Sequence, residues 1–179
     1  NKSVFSLSDG SVSLLLETEA SAKKRGAGAY CKVTGYGMAH ASVPFGKLSG
    51  SAGGLTAAVR AALSDAHITA ADIDAVIGFA NGHAAVDKAE ADGLSPLFDL
   101  TKVPVLTVKE RTGEGRAASA ALALAHGALL LSGDTDVCDA YVMTEDGMTP
   151  FAADAKALRR ILVVSYAAGG SYTAAVLEK

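Results

Sequence analysis

At 179 residues, 50% of them hydrophobic and only 20% charged, the chain is sized for one domain that buries an unusually large share of its surface. A net charge of −3 gives no electrostatic case for nucleic acid and is mildly unfavourable to anionic membranes. No apolar run approaches the roughly 20 residues that cross a bilayer, and nothing resembles a secretory signal, so the expected compartment is the cytoplasm.

Residues 11–17 and 30–36 read as strands separated by a short basic turn, which predicts adjacent antiparallel pairing. After the Gly/Ser-rich stretch 46–54, residues 55–64 carry helical spacing, with Leu55, Val59 and Leu63 on one face. Thr69 to Asp72 has the shape of a small capped turn ahead of a short apolar strand at 73–79. A helix at 84–95 and a strand at 103–109 follow. The segment 113–131 then reads as one long helix, apolar nearly all round and expected to be buried on both sides. A strand within 136–144 and two more at 161–166 and 173–177 complete a βαβαβ unit with antiparallel additions, an α/β layering. No tandem repeat, heptad register or low-complexity tail interrupts the pattern.

Cys31 and Cys138 fall in predicted strands far apart in sequence and read as two buried, reduced thiols. The four histidines, His40, His67, His83 and His126, are not spaced as a helical ligand pair, and neither cysteine has a second beside it, so no zinc site and no cofactor are expected. Gly113-Glu114-Gly115 at a helix start offers backbone donors to a phosphate, but the acidic side chain between the glycines works against an anion.

Two segments carry a more specific signal: Gly78-Phe-Ala-Asn-Gly-His-Ala-Ala-Val-Asp-Lys-Ala-Glu90 and Pro104-Val-Leu-Thr-Val-Lys-Glu-Arg-Thr-Gly-Glu-Gly-Arg-Ala-Ala-Ser-Ala120. They resemble the two histidine motifs of a β-ketoacyl synthase, Asn-Ala-His-Gly-Thr-x-Thr-x-x-Gly-Asp-x-x-Glu and Lys-x-x-x-Gly-His-x-x-x-Ala-Ala-Gly, without their histidines. Asp87, Glu90, Lys109 and Gly113 fit their places. Counting back from Asp87 without a gap puts Phe79 where the first histidine belongs, and Glu114 stands in place of the second. His83 lies only four positions before Asp87 and takes the catalytic place only if the loop has lost four residues.

The resemblance extends along the chain. Ser11-Val-Ser-Leu-Leu-Leu-Glu17, Ala20-Ser-Ala-Lys-Lys-Arg-Gly-Ala27 and the strand ending in Gly35-Tyr-Gly-Met38 are similar to successive family segments. Ile161 to Gly170 is similar to the family's Asn-Ser-Phe-Gly-Phe-Gly-Gly strand and turn. There Ala168 replaces the gating phenylalanine ahead of Gly169 and Gly170, and Tyr172 replaces the following asparagine.

The family resemblance implies a thiolase-like fold of two stacked halves. This chain, 1–179, corresponds to the C-terminal half. The N-terminal half, with the nucleophilic cysteine or its substitute, is expected on a separate chain. Decarboxylative condensation needs neutral donors aimed at a developing enolate. A carboxylate repels that charge and a phenyl ring offers no hydrogen bond, so no residue here is expected to be catalytic. The family implies that Glu90 and Lys109 lie near each other and support the histidine loops, here as a structural ion pair. Ala168, Gly169, Gly170 and Tyr172 are expected at a tunnel or gate. The implied function is a chain length factor of a bacterial type II polyketide synthase. Its expected partners are its own N-terminal half, a ketosynthase α subunit and an acyl carrier protein. Two alternatives stay open: a divergent synthase or thiolase using His83 with a cysteine on another chain, and a stand-alone scaffold module.

Overall fold

The computed structural model describes residues 6–44, 51–80, 82–136, 139–144 and 147–179. Its elements in chain order are α1 (Glu19–Arg25), β1 (Lys32–His40), α2 (Ala52–Asp65), β2 (Ala75–Ile77), α3 (Ala84–Leu94), β3 (Val105–Leu106), α4 (Lys109–Thr112), α5 (Ser119–Ser132), β4 (Ala140–Thr144), β5 (Gly147–Phe151), β6 (Arg160–Ala167) and β7 (Ser171–Glu178). The strands form one sheet in the order β1-β7-β6-β2-β3-β4-β5. β2 runs parallel to both β3 and β6, and the other neighbours are antiparallel. This is the α/β layering that the sequence predicts.

Central strands buried on both faces read as unbroken apolar runs, and here the alternation sorts them between two cores. Val76, Leu162, Val164, Tyr166 and Val176 face a core with α2 and α3, through Leu55, Val59, Leu63, Val86 and Leu94. Ala75, Ile77, Ile161, Val163 and Leu177 face the other core, with Ala123, Leu130 and Leu131 of α5. α2 lies close on β1 because Gly37 is there: a Cβ at that position would stand 2.1 Å from the Ala58 carbonyl oxygen.

Several expectations are corrected. Residues 11–17 form no strand; Leu15 and Leu16 are exposed, and β1 pairs with β7 instead. The basic turn is the short helix α1. Its N-cap Thr18 accepts from the Ser21 N–H, and Gly26 closes it at φ 67°. The long helix begins at Ser119 rather than 113, since Gly113 and Arg116 adopt positive φ and break the first turns. Only one face of α5 is fully buried; Leu122, Ala125 and Ala128 are half-buried and Leu129 is exposed. Cys31 is half-buried rather than buried, and Cys138 lies outside the described residues. The β4–β5 hairpin is an addition to the sequence reading. The helices α2 and α3 and the strands β2, β3, β6 and β7 fall where the sequence placed them, within a few residues. Among the described residues no helix is long and apolar enough to cross a membrane.

Candidate functional site

Two loops leave the C-terminal ends of the parallel strands β2 and β3 and meet. The first, from Gly78 to His83, is held by Glu90 on the second turn of α3. Its carboxylate accepts from the backbone N–H of Phe79 at 2.5 Å and of Ala80 at 2.9 Å. Glu90 is buried, and burial pushes its carboxyl above the usual range, opposed by these two N–H groups and more weakly by Lys109. Asp87, in the first turn of α3, is half-buried and favourably placed against the helix dipole. His83 is the N-cap residue of α3 and makes no side-chain cap; its backbone carbonyl accepts from the N–H groups of Val86 and Asp87.

The second loop runs from Thr107 to Ser119. Thr107 ties it to the first, donating from its hydroxyl to the Ala80 carbonyl at 3.4 Å while accepting from the Lys109 N–H at 3.2 Å. Glu114 turns inward. Its Oε2 lies 2.8 Å from Lys109 Nζ, and both side chains are almost dry, 6% and 7% exposed. Its Oε1 accepts from the Ser119 hydroxyl at 2.5 Å and from the Arg116 N–H at 2.7 Å. Burial pushes the Glu114 carboxyl up, but Lys109, Ser119 and the Arg116 N–H together outweigh it and hold the group below the usual carboxylate range. Burial likewise pulls Lys109 down, with Glu114 pulling back. Glu114 is therefore an ionised partner of a buried pair, not a charge in the first turn of a helix.

The partner of Lys109 is thus Glu114, which corrects the expected Glu90–Lys109 ion pair. The physical reason is satisfaction: Glu90 already holds two backbone donors, whereas Glu114 sits within contact distance of the ammonium. Lys109 Nζ also lies 3.4 Å from the centroid of the Phe79 ring, a cation–π contact. Phe79 meets Tyr166 edge-on at 5.7 Å, and Tyr166 lies 5.1 Å from Tyr172. Tyr172 is buried, and its hydroxyl accepts from the Ser51 N–H. Two backbone donors of the Gly113-Glu114-Gly115 stretch are taken: Glu114 N–H donates to the Ser6 carbonyl and Gly115 N–H to the Ser119 hydroxyl. The phosphate cradle weighed from sequence therefore has no free donors at these two positions.

The structure thus brings Phe79, Glu90, Lys109 and Glu114 together, with Asp87 and His83 on the adjoining helix start and Tyr172 at the far end of an aromatic row. It does not bring Ala168, Gly169 and Gly170 onto the ion pair. They form the β6–β7 turn, where Ala168 is exposed and Gly170, at φ 91°, packs so close to Ala41 that a Cβ would stand 2.0 Å from its carbonyl oxygen. Sequence reasoning missed Ser119 and Tyr166. Ser119 follows Glu114 by five residues across a loop read as helix, so no helical spacing pointed to it; Tyr166 was legible only as a strand residue. Among the described residues no three His, Cys, Asp or Glu side chains cluster to hold a metal ion.

Comparisons with known proteins bear on this geometry. Residues 30–135 match the model of the β-ketoacyl synthase C-terminal domain. The chain is 33% identical over 150 residues, 82% of its length, to a polyketide β-ketoacyl synthase 2 of Streptomyces coelicolor. Over 65% of its length it is 34% identical to the tetracenomycin polyketide synthase ketoacyl synthase β subunit of Streptomyces glaucescens. It spans 31% and 28% of those two proteins. Among solved structures, the ishigamide ketosynthase/chain length factor superposes on 91% of the chain at a TM-score of 0.77 and 22% identity, over 41% of its own chain. A type II ketosynthase complex with its acyl carrier protein superposes on 90% at 0.75 and 19%, again over 41%. The fold is that of the thiolase-like ketosynthases, and the chain belongs to the β-ketoacyl synthase family.

Proposed function

We propose that this chain is the C-terminal half of a chain length factor, a non-condensing subunit of a type II polyketide synthase. The observation that carries the reading is the state of Glu114: buried, ionised and locked to Lys109 and Ser119, beside a phenyl ring at Phe79. An active condensing site needs two neutral donors pointed at the enolate oxygen, and these two positions supply an anion and a hydrocarbon. The relatives named as a ketoacyl synthase β subunit and as a ketosynthase/chain length factor support the same reading. In it, the chain works in the cytoplasm with its own N-terminal half, with an active ketosynthase subunit and with the acyl carrier protein whose growing chain they share. Its contribution is packing, subunit contact and part of the wall that limits chain growth.

The test is malonyl decarboxylation by the purified native assembly in which the two donor histidines of the active ketosynthase subunit have been replaced by alanine, with every polypeptide identified by intact mass. The expected result is co-purification of an N-terminal half and a full-length ketosynthase, and no release of carbon dioxide above background. Persistent decarboxylation that disappears in His83→Ala overturns the reading in favour of an enzyme. A chain that purifies alone overturns it in favour of an independent module.

A further inference from the structure

We infer that Phe79 is a stopper: its ring closes the pocket behind it to any apolar group, so the site excludes ligands by volume as well as lacking the donors to act on them. Phe79 is half-buried, which places its ring between solvent and the interior. One face is covered by the Lys109 ammonium at 3.4 Å, and the ring meets Tyr166 edge-on. The row behind it is rigidly seated. Tyr172 accepts from the Ser51 N–H and lies so close to α2 that a Cβ at Gly54 would stand 2.6 Å from its ring.

The Phe79 ring itself lines a cavity of only about 20 Å³, together with Leu55, Val86, Glu90, Val164, Tyr166 and Tyr172 among others. That is room for about one water and not for a two-carbon unit. The surroundings are otherwise aliphatic and aromatic apart from the Lys109 ammonium, so removal of the phenyl ring would leave a largely apolar cavity whose one cationic face suits an aromatic guest. Engineered cavities of this character, at roughly 150 Å³, stay dry and take up benzene or xenon. The inference rests on packing alone and stands whether or not the chain limits polyketide length.

The experiment compares the complete protein, in its native assembly, with its Phe79→Ala variant in the presence of benzene. The variant is expected to gain about 3–6 °C in thermal midpoint at ten times the dissociation constant, while the unmodified protein gains nothing. An equal gain in both, or no gain in a variant that is folded by circular dichroism, overturns the inference. If Phe79→Ala does not fold, Phe79→Val crystals pressurised with xenon decide. A xenon atom between Tyr166 and Leu55 that is absent from the unmodified protein supports the stopper, and its absence from both overturns it.

Discussion

Glu90 and Glu114 are both buried glutamates, each anchoring one of the two loops that meet at Phe79, yet they titrate in opposite directions. Glu90 receives two backbone N–H groups and no close cation, and burial wins: its carboxyl is pushed up. Glu114 receives a hydroxyl, an N–H and the Lys109 ammonium, and the partners win: its carboxyl is held down. The first loop is therefore fastened by two backbone N–H groups that favour the carboxylate but do not outweigh burial, and the second by a charge pair that does. In the proposed reading, the second fastening stands where a condensing relative would need a catalytic donor.

The strongest way to break this contrast is to remove the cation. Lys109→Met is expected to cost about 3–5 kcal/mol at pH 7, because Glu114 is left as an uncompensated buried charge. Lys109→Met combined with Glu114→Gln should recover most of that loss, since the stranded charge goes with its partner. Urea unfolding of the two variants measures the difference. Equal midpoints would mean that Glu114 carries no charge worth neutralising.

A sharper separation comes from pH. Glu114 is depressed below its ordinary value of 4.5 in the fold, so its contribution is present above that value and is lost as pH falls through the folded one. Glu90 is raised above 4.5, so its contribution is complete below that value and is lost as pH rises through the folded one. Each window has a limiting slope of about 1.4 kcal/mol per pH unit. Glu114→Gln should flatten the acid limb of a stability profile below 4.5, and Glu90→Gln the limb that opens above 4.5. A single variant that flattens both limbs would show that the two carboxyls titrate as one coupled pair.

Much of the frame was legible because period and burial agree. The helical spacing of Leu55, Val59 and Leu63 marks α2, and the apolar run 161–166 marks a strand covered on both faces, as it is. What escaped had weaker or conflicting local signals. Thr18, the terminal basic residues and Gly26 are cap and stop signals of a helix, but α1 is only seven residues long and was read as a turn. Asp146-Gly147 is a hairpin signal in the sequence, and β5, which begins at Gly147, pairs antiparallel with β4. The apolar composition of 113–131 argued for continuous helix, and the positive φ of Gly113 and Arg116 overrode it. At the site, motif spacing picked Phe79, Glu90, Lys109 and Glu114, because residues fixed at loop ends stay close. It could not choose between the two glutamates as partner of Lys109, since that depends on which acid the backbone had already satisfied.

The first loop offers the smallest and most local test. Ala80, whose N–H is held by Glu90 and whose carbonyl accepts from Thr107, sits at φ 30°, outside the regions an L-residue adopts without strain. Such a conformation persists only where its surroundings over-determine it, and here two side chains from separate segments pin the two peptides that flank Ala80. Ala80→Gly relieves the strain and raises the entropy of the unfolded chain, two effects of opposite sign. Because the conformation lies at an unfavourable φ, relief should prevail, and the expected result is a gain of about 0.5–1 kcal/mol in denaturant unfolding. In a Glu90→Gln background, where one of the two acceptors is replaced by an amide nitrogen, the loop is less firmly pinned and the gain should shrink. A loss of stability in both backgrounds would place the strain elsewhere in the loop.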